Sequence, residues 1–172
     1  DENQGPELVD GVFGKALKLD GINDMAQTDY RGVDGAKPRT VAFWIRVPKK
    51  VGLNKNYAIV HWGNAMRDNE KWQLGWNGQE SDGVLGAIRT EFRNGYVIGE
   101  TDLRDGKWHH VVSLFIGGKG ADVATHIRHY IDGKLEALSG YKRAKIHTNI
   151  DDINSQAVSI GRKMDGPRKF LK

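Results

Sequence analysis

The chain has 172 residues, of which 38% are hydrophobic and 28% charged, and its formal net charge is +4. This composition is typical of a folded globular protein and excludes a disordered chain. The basic residues are dispersed and follow no nucleic-acid-binding motif, so we expect no nucleic-acid partner. The chain has no cysteine, which excludes disulfides and thiolate metal sites, and no apolar run approaches the roughly 18 residues of a membrane-spanning helix.

Segments of alternating apolar and polar residues follow one another along most of the chain, bounded by turn signals such as Asp-Gly. In chain order they are GKALKLDG, RTVAFWIRVP, NYAIVHWGN, KWQLGWNG, GVLGAIRTEF, YVIGETDL, KWHHVVSLFI, VATHIRHYIDG and AVSIG. Roughly ten strands, without a convincing helical period, predict an all-β fold with two antiparallel sheets packed as a sandwich. We expect one domain over residues 1–172, with loops at 1–10, 48–55 and 140–155.

The adjacent histidines His109 and His110 raise the question of a metal site or a proton shuttle. Successive side chains on a strand point to opposite faces, so the two imidazoles diverge and cannot readily chelate one metal. His126 and His129 would share a face of a helix, but the strand-like sequence around them separates them too. We therefore interpret these histidines as structural residues of a sheet and expect no catalytic metal.

The chain offers few groups for catalysis. It has no cysteine nucleophile, no G-x-S-x-G motif and no phosphate-binding glycine loop. Glu100 and Asp102 have the spacing that could place two carboxyl groups on one strand face, as in a glycosidase, but the Asp105-Gly106 turn follows at once. We interpret the group as a turn at the end of a strand and keep a glycan-active enzyme as an alternative.

Four motifs occur in an order that resembles a known family. GVFGKALKLDGINDMAQTD, RTVAFWIRVP, DGKWHHVV and HYIDGKLEAL are together similar to the laminin-G-like jelly rolls of the concanavalin A-like lectin/glucanase superfamily. The resemblance covers residues 11–161 and implies a jelly roll with one concave sheet, whose face or rim loops bind carbohydrate or protein. It also implies an extracellular or periplasmic module attached to a larger protein, and in many members a structural calcium.

Two departures from the family pattern are visible. The closing strand, usually similar to Gly-x-Ile-Asp-Glu-Val-Arg-Ile-Tyr, does not follow DGPRKFLK. We expect a chain that was excised from a larger protein and lacks that strand; the alternative is that the closing strand is supplied differently. The Asp-Tyr-Val that usually follows the first turn is replaced by Asp24-Met25-Ala26, which keeps the carboxylate and loses the aromatic residue.

The turn after the first strand is the candidate metal site. Asp20, Asn23 and Asp24 place three oxygen-bearing side chains close together, and calcium prefers six to eight oxygen ligands. The alternative is that these residues only form the turn by bonding their own backbone. We predict a structural calcium here, with its remaining ligands supplied from elsewhere.

Strand parity selects the candidate ligand-binding residues. The uniformly apolar sets of three strands should enter the core, which leaves Trp44, Arg46, His61 and Gln73 facing outward. If these strands are neighbours in the concave sheet, the four side chains converge, and Arg89 joins them from the next strand. An aromatic ring beside planar hydrogen-bonding groups suits a sugar, and arginines favour acidic or sulfated glycans. The alternative is that Trp44 is a packing residue covered by a loop.

The function predicted from the sequence is that of a non-catalytic, lectin-like module that binds a polysaccharide or glycan. A protein-interaction or adhesion domain of an envelope receptor or regulator is the alternative from another class. We expect the chain to act outside the cell or in the periplasm, without inserting into a membrane.

Overall fold

A computed structural model describes residues 5–51, 57–163 and 169–170. The longer strands in this part of the chain are β4 (Arg39–Arg46), β5 (Tyr57–Asn64), β6 (Lys71–Trp76), β7 (Ile88–Glu91), β9 (Trp108–Phe115), β10 (Ile127–Ile131) and β13 (Ser155–Ile160). The shorter strands are β1 (Glu7–Asp10), β2 (Lys15–Lys18), β3 (Ala26–Gln27), β8 (Tyr96–Ile98), β11 (Lys134–Leu135), β12 (Gly140–Lys142), β14 (Arg162–Lys163) and β15 (Lys169–Phe170). One helical turn, α1 (Val123–His126), and one 3-10 turn, Glu80–Asp82, connect strands.

The strands form two main antiparallel sheets. The four-stranded sheet has the order β11-β10-β9-β4, and the seven-stranded sheet has the order β12-β8-β7-β6-β5-β13-β3. The β1–β2 hairpin and the antiparallel pair β14 and β15 complete the described chain. The predicted all-β antiparallel sandwich of the jelly-roll type is confirmed.

The core lies between the sheets and is built by the alternation seen in the sequence. On β4, Ile45 is buried and Phe43 half-buried toward the core, whereas Trp44 between them is exposed, as strand parity predicts. The seven-stranded sheet contributes the tryptophans of β5 and β6, and the rings of Trp62 and Trp72 stack with centroids 5.4 Å apart. These large rings fill the space between the sheets. Each ring removes on the order of 200 Å² of apolar surface from water, which stabilises the fold.

Strand β9 confirms that the two adjacent histidines point apart. The register of β9 against β4 puts His109 opposite Ile45 and His110 opposite Trp44. His109 therefore shares its face with the buried Val111, while His110 lies on the outer face.

A tight hairpin holds His109 in place. Asp132 and Gly133 connect β10 to β11 and have φ values of 51° and 79°, the pattern of a type I′ turn. His109 Nδ1 lies 2.8 Å from Asp132 Oδ2, and its Nε2 lies 3.1 Å from Asp105 Oδ1. Burial opposes protonation of His109, but the hydrogen bonds to Asp132 and Asp105 outweigh it and raise its pKa. His109 therefore links the Asp132-Gly133 turn to the turn at Asp105.

Three sequence-based expectations for the elements were wrong. Residues 1–10 and 140–155, expected as loops, contain β1 and β12 and the first residue of β13. The predicted strand YVIGETDL ends already at Ile98, so Glu100 and Asp102 lie in the loop after β8. His126 ends α1 instead of lying on a strand. Of the expected loop 48–55, residues 52–55 lie outside the described residues. Within the described chain, every helix is too short to span a lipid bilayer.

Candidate ligand-binding surfaces

An aromatic patch lies on the outer face of β4 and β9 in the four-stranded sheet. It consists of Phe13, Trp44, Trp108, His110 and Arg46. The Trp44 ring is 40% exposed and lies 5.2 Å from the His110 ring, its cross-strand neighbour. Phe13 packs edge-on against Trp44 with ring centroids 6.0 Å apart and is itself 80% exposed. Arg46 completes the patch, with its guanidinium 5.2 Å from the centre of the Trp108 ring.

The local sequence explains why these side chains meet. β4 and β9 pair without a bulge, so the alternate residues Trp44 and Arg46 face His110 and Trp108 on one side of the sheet. Phe13 comes from the tip of the β1–β2 hairpin, where Gly11 N donates to Gly14 O at 2.8 Å. The patch therefore combines flat apolar rings with one cation at the surface.

An apolar groove runs along β4 beside this patch. Two cavities, of about 740 and 320 Å³, follow the strand, the larger along Phe43–Pro48 and the smaller along Arg39–Ala42. We name them together the β4 groove. Its walls are Val41, Phe43 and Ile45 of β4 on one side and Val60, Val158 and Ile160 of the seven-stranded sheet on the other. Phe13 and Leu17 of the β1–β2 hairpin line one end of the groove.

The outer face of the seven-stranded sheet carries a buried charge network. Lys71 Nζ donates to Glu91 Oε1 at 2.9 Å and to Gln73 Oε1 at 3.1 Å. Arg89 donates to the other oxygen of Glu91 at 3.0 Å and to Asp82 Oδ2 at 2.7 Å. Lys71 is fully buried and Arg89 is 6% exposed, so opposite charges and hydrogen bonds together offset the cost of removing them from water.

Tyr96 extends the network on the next strand. The Arg89 guanidinium lies 3.9 Å from the centre of the Tyr96 ring. Burial raises the pKa of Tyr96, and the neighbouring Asp82 carboxylate reinforces the shift. The sequence offered a signal for this network, since Lys71, Gln73, Arg89 and Glu91 alternate with apolar residues, but alternation alone suggested an exposed face rather than a buried one.

The five predicted ligand-binding residues do not share one surface. His61, Gln73 and Arg89 lie together on the outer face of β5, β6 and β7, and all three are buried. Trp44 and Arg46 lie on the opposite sheet. The condition for their convergence, that β4 neighbours β5 and β6, is not met, because β4 pairs with β9 and the chain crosses to the other sheet before β5. Whether any of the five binds a ligand remains a prediction.

The predicted calcium residues form a hydrogen-bonded turn. Asp20 Oδ1 accepts from the backbone N–H of Ile22 at 2.7 Å and of Asn23 at 3.3 Å. Asp24 Oδ2 accepts from the backbone N–H of Asp20 at 2.9 Å. Hydrogen bonding by the Ile22 N–H lowers the pKa of Asp20. Within the described ranges no group of three or more acidic, histidine or cysteine side chains is arranged to hold a metal, so these residues fit calcium only partly.

The two carboxylates considered for catalysis have other partners. Both oxygens of Asp102 accept from the guanidinium of Arg104, at 2.7 and 2.6 Å. Glu100 Oε1 lies 3.4 Å from the backbone nitrogen of Ala137, and Glu136 accepts from the backbone N–H of Glu100 at 2.8 Å. These contacts stabilise the loop between β8 and β9.

A comparison with protein-family models agrees with the family resemblance of the motifs. A laminin G-like family model, described as the concanavalin A-like lectin/glucanases superfamily, matches residues 20–171. The chain belongs to this superfamily. The superfamily supports a binding module as the general function, and it also includes glucanases.

Among solved structures, the superfamily chain is similar to domains LG4-5 of the mouse laminin alpha1 chain. The TM-score is 0.48 and the sequence identity 15%, and the match covers 86% of this chain and 36% of that one. None of the curated proteins compared with the chain is similar enough in sequence to count as a match.

Proposed function

We propose that the chain is a non-catalytic module that binds a polysaccharide or glycan outside the cell or in the periplasm, and that the aromatic patch is its contact surface. The observation that carries the proposal is the exposed Trp44 ring, with the Phe13 ring edge-on and the His110 ring tilted against it. The C–H face of a sugar ring packs on such a surface, because both partners are apolar there and the rigid indole loses little conformational entropy.

The polar groups beside the ring support a preference among glycans. Arg46 is exposed at the edge of the patch and offers a planar set of five N–H donors. Carboxylate and sulfate groups accept such donors in pairs, so the patch favours acidic or sulfated glycans over neutral ones. Calcium bound by Asp20, Asn23 and Asp24 would stabilise the neighbouring loop rather than take part in chemistry.

Binding to a panel of immobilised glycans tests the proposal. We expect Trp44→Ala to weaken binding about tenfold, the effect of losing roughly 1.4 kcal/mol of contact. Tyr141→Ala is the matched control, since Tyr141 is a 55% exposed aromatic residue on the other sheet and should leave binding unchanged. Absence of binding to every glycan at high concentration, or equal loss in both variants, would contradict the proposal.

The charge preference has its own test. We expect Arg46→Gln to weaken binding of sulfated or carboxylated glycans more than binding of neutral ones. Arg128→Gln on the outer face of β10 removes the same charge from the same sheet and should affect neither class. Equal effects of the two substitutions would indicate general attraction by the net positive charge.

A protein ligand is the second candidate, because the β4 groove is apolar and lies at the edge of a sheet. The enzyme alternative requires turnover of a polysaccharide that disappears in Glu100→Gln.

A further inference from the structure

The apolar surface of the aromatic patch continues across the four-stranded sheet. Val112 follows His110 on the same face of β9. The register places Ala42 of β4 on one side of Val112 and Tyr130 of β10 on the other. Leu135 of β11 lies opposite Tyr130 and is 57% exposed. Apolar side chains therefore cross all four strands, and we name the aromatic patch together with Val112, Tyr130 and Leu135 the sheet platform.

Tyr130 lengthens a line of rings on this platform. Phe13, Trp44 and His110 already form such a line, with successive centroids 6.0 and 5.2 Å apart. Tyr130 pairs with Val112, two residues after His110, which makes it the diagonal neighbour of His110 at roughly 7–8 Å. The line of four rings is therefore roughly 18 Å long. Neither the His110 ring nor the Tyr130 hydroxyl is hydrogen-bonded within the described residues, so both can bond a ligand.

The platform carries positive charge and no carboxylate. None of the outward-facing residues of β4, β9, β10 and β11 is acidic. Arg46 is exposed, whereas the guanidinium of Arg128 is held by the backbone carbonyls of Thr125 and Ile127, at 3.0 and 2.9 Å. Both carboxylate oxygens of Asp132, in the turn after β10, are already hydrogen-bonded. An anionic ligand on the platform therefore meets Arg46 without a competing carboxylate from the sheet.

The size of the platform suits a narrow ligand. At about 4.8 Å between neighbouring strands, β4 and β11 are about 14 Å apart. The 8 residues of β9 are roughly 26 Å long, so this face of the sheet measures about 350 Å². A stable interface between two proteins needs about 800 Å² from each partner. The platform is too small for such an interface with a globular partner, but it is long enough for a chain of sugar rings.

We propose that the sheet platform binds a linear acidic polysaccharide through several consecutive sugar units. This inference rests on the function proposed for the aromatic patch and specifies its ligand, an internal stretch of a chain rather than a terminal sugar. Sugar rings pack on Trp44 and Tyr130, and their hydroxyl groups bond the His110 ring and the Tyr130 hydroxyl. The carboxylate or sulfate of one unit pairs with the guanidinium of Arg46.

Fragments of graded length test the proposal on the full chain. The probes are oligosaccharides cut from polygalacturonate and from chondroitin sulfate, two linear polysaccharides that carry carboxylate or sulfate groups. We expect affinity to rise at least tenfold from the disaccharide to fragments that span roughly 18 Å, and to change little in longer ones. Equal affinity at every length, or no binding of either polysaccharide, overturns the proposal.

A charge at the far end of the platform gives a second test. Leu135→Asp adds a negative charge at an exposed position of β11, and Leu138→Asp adds the same charge at a 41% exposed leucine outside the four strands. We expect Leu135→Asp to weaken binding of the long fragments about tenfold and to leave the disaccharide unchanged. Leu138→Asp should affect neither length. Equal losses in the two variants would show general repulsion and overturn the proposal.

Removal of the last ring gives a third test. Among variants whose thermal unfolding shows that they are folded, we expect Tyr130→Ala to bind the long fragments about tenfold more weakly than the wild type. Tyr141→Ala, which removes an exposed ring from the other sheet, should bind them unchanged. Unchanged binding in Tyr130→Ala overturns the proposal.

Two outcomes separate the platform from other assignments. If binding depends on Trp44 but not on fragment length, Leu135 or Tyr130, the glycan-binding function of the aromatic patch stands and the platform inference fails. If the chain without glycan forms a concentration-dependent dimer that Leu135→Asp disrupts, a second copy covers the platform and the inference is also overturned.

Discussion

His129 and Thr90 are joined across the core, with Nε2 of the imidazole 2.8 Å from Oγ1 of the hydroxyl. Thr90 belongs to the seven-stranded sheet and His129 to the four-stranded sheet, so this hydrogen bond connects the two layers. Ser113 Oγ lies 3.0 Å from the same hydroxyl and completes the link. All three residues are buried, and burial lowers the pKa of His129 to about 3.

This link predicts a loss of stability in mild acid. Below pH 6.5 the unfolded chain protonates His129 while the folded chain, with a pKa of about 3, does not. The free energy of unfolding therefore falls as the pH falls from 6.5 toward 3, by up to about 1.4 kcal/mol per pH unit from this group.

Urea unfolding at several pH values measures that dependence. We expect His129→Gln, which keeps hydrogen-bonding groups but does not titrate, to reduce the slope between pH 6.5 and 4. Thr90→Val keeps the imidazole, so it should lower stability at every pH without removing the slope. A slope unchanged in His129→Gln would contradict the assignment.

His109 predicts the opposite dependence at higher pH. Its pKa is raised in the folded state, so its contribution to stability is fully present below pH 6.5 and is lost as the pH rises through the raised value. We expect the difference in thermal midpoint between wild type and His109→Gln to be larger at pH 5.5 than at pH 8.5. An NMR titration of the imidazole should show the raised pKa directly, and Asp132→Asn should bring it down.

The buried charge network predicts a large cost for removing one partner. Glu91→Gln leaves the cations Lys71 and Arg89 without the charge that both contact, which typically costs about 3–5 kcal/mol for a buried pair. Glu7→Gln is the matched control, because the Lys18–Glu7 pair is more than half exposed and should contribute less than about 1 kcal/mol. Chemical denaturation of both variants checks the prediction, and similar small costs would show that the network is dispensable.

Calcium binding by the turn after β2 remains a prediction of the sequence. We expect calcium at millimolar concentration to raise the thermal midpoint of the wild type, because an ion that binds only the folded state stabilises it. The increase should be lost in Asp24→Asn and kept in Asp29→Asn, which changes an exposed carboxylate outside the turn. An unchanged midpoint in the wild type would contradict calcium binding. These residues would then serve only to form the hydrogen-bonded turn.

The site was only partly predictable from the sequence. The alternation on β4 correctly placed Trp44 outward and Ile45 inward, since parity depends on adjacent residues alone. The surface that Trp44 joins could not be predicted in the same way. Its neighbours are His110 on β9 and Phe13 on a hairpin whose first strand was expected as loop, and both contacts depend on how separate segments pack together.

The sequence by itself determined the strand faces, the divergence of His109 and His110, and the Asp132-Gly133 turn. Each of these follows from residues next to one another, through the two-residue period of a strand or the backbone freedom of glycine. The tertiary structure alone decided that β4 pairs with β9, that Gln73 and its charged neighbours on the outer face of β6 and β7 are buried, and that a groove runs along the free edge. Those features depend on which distant segments of the chain pack best against one another. The alternation of residues within one segment does not specify that packing.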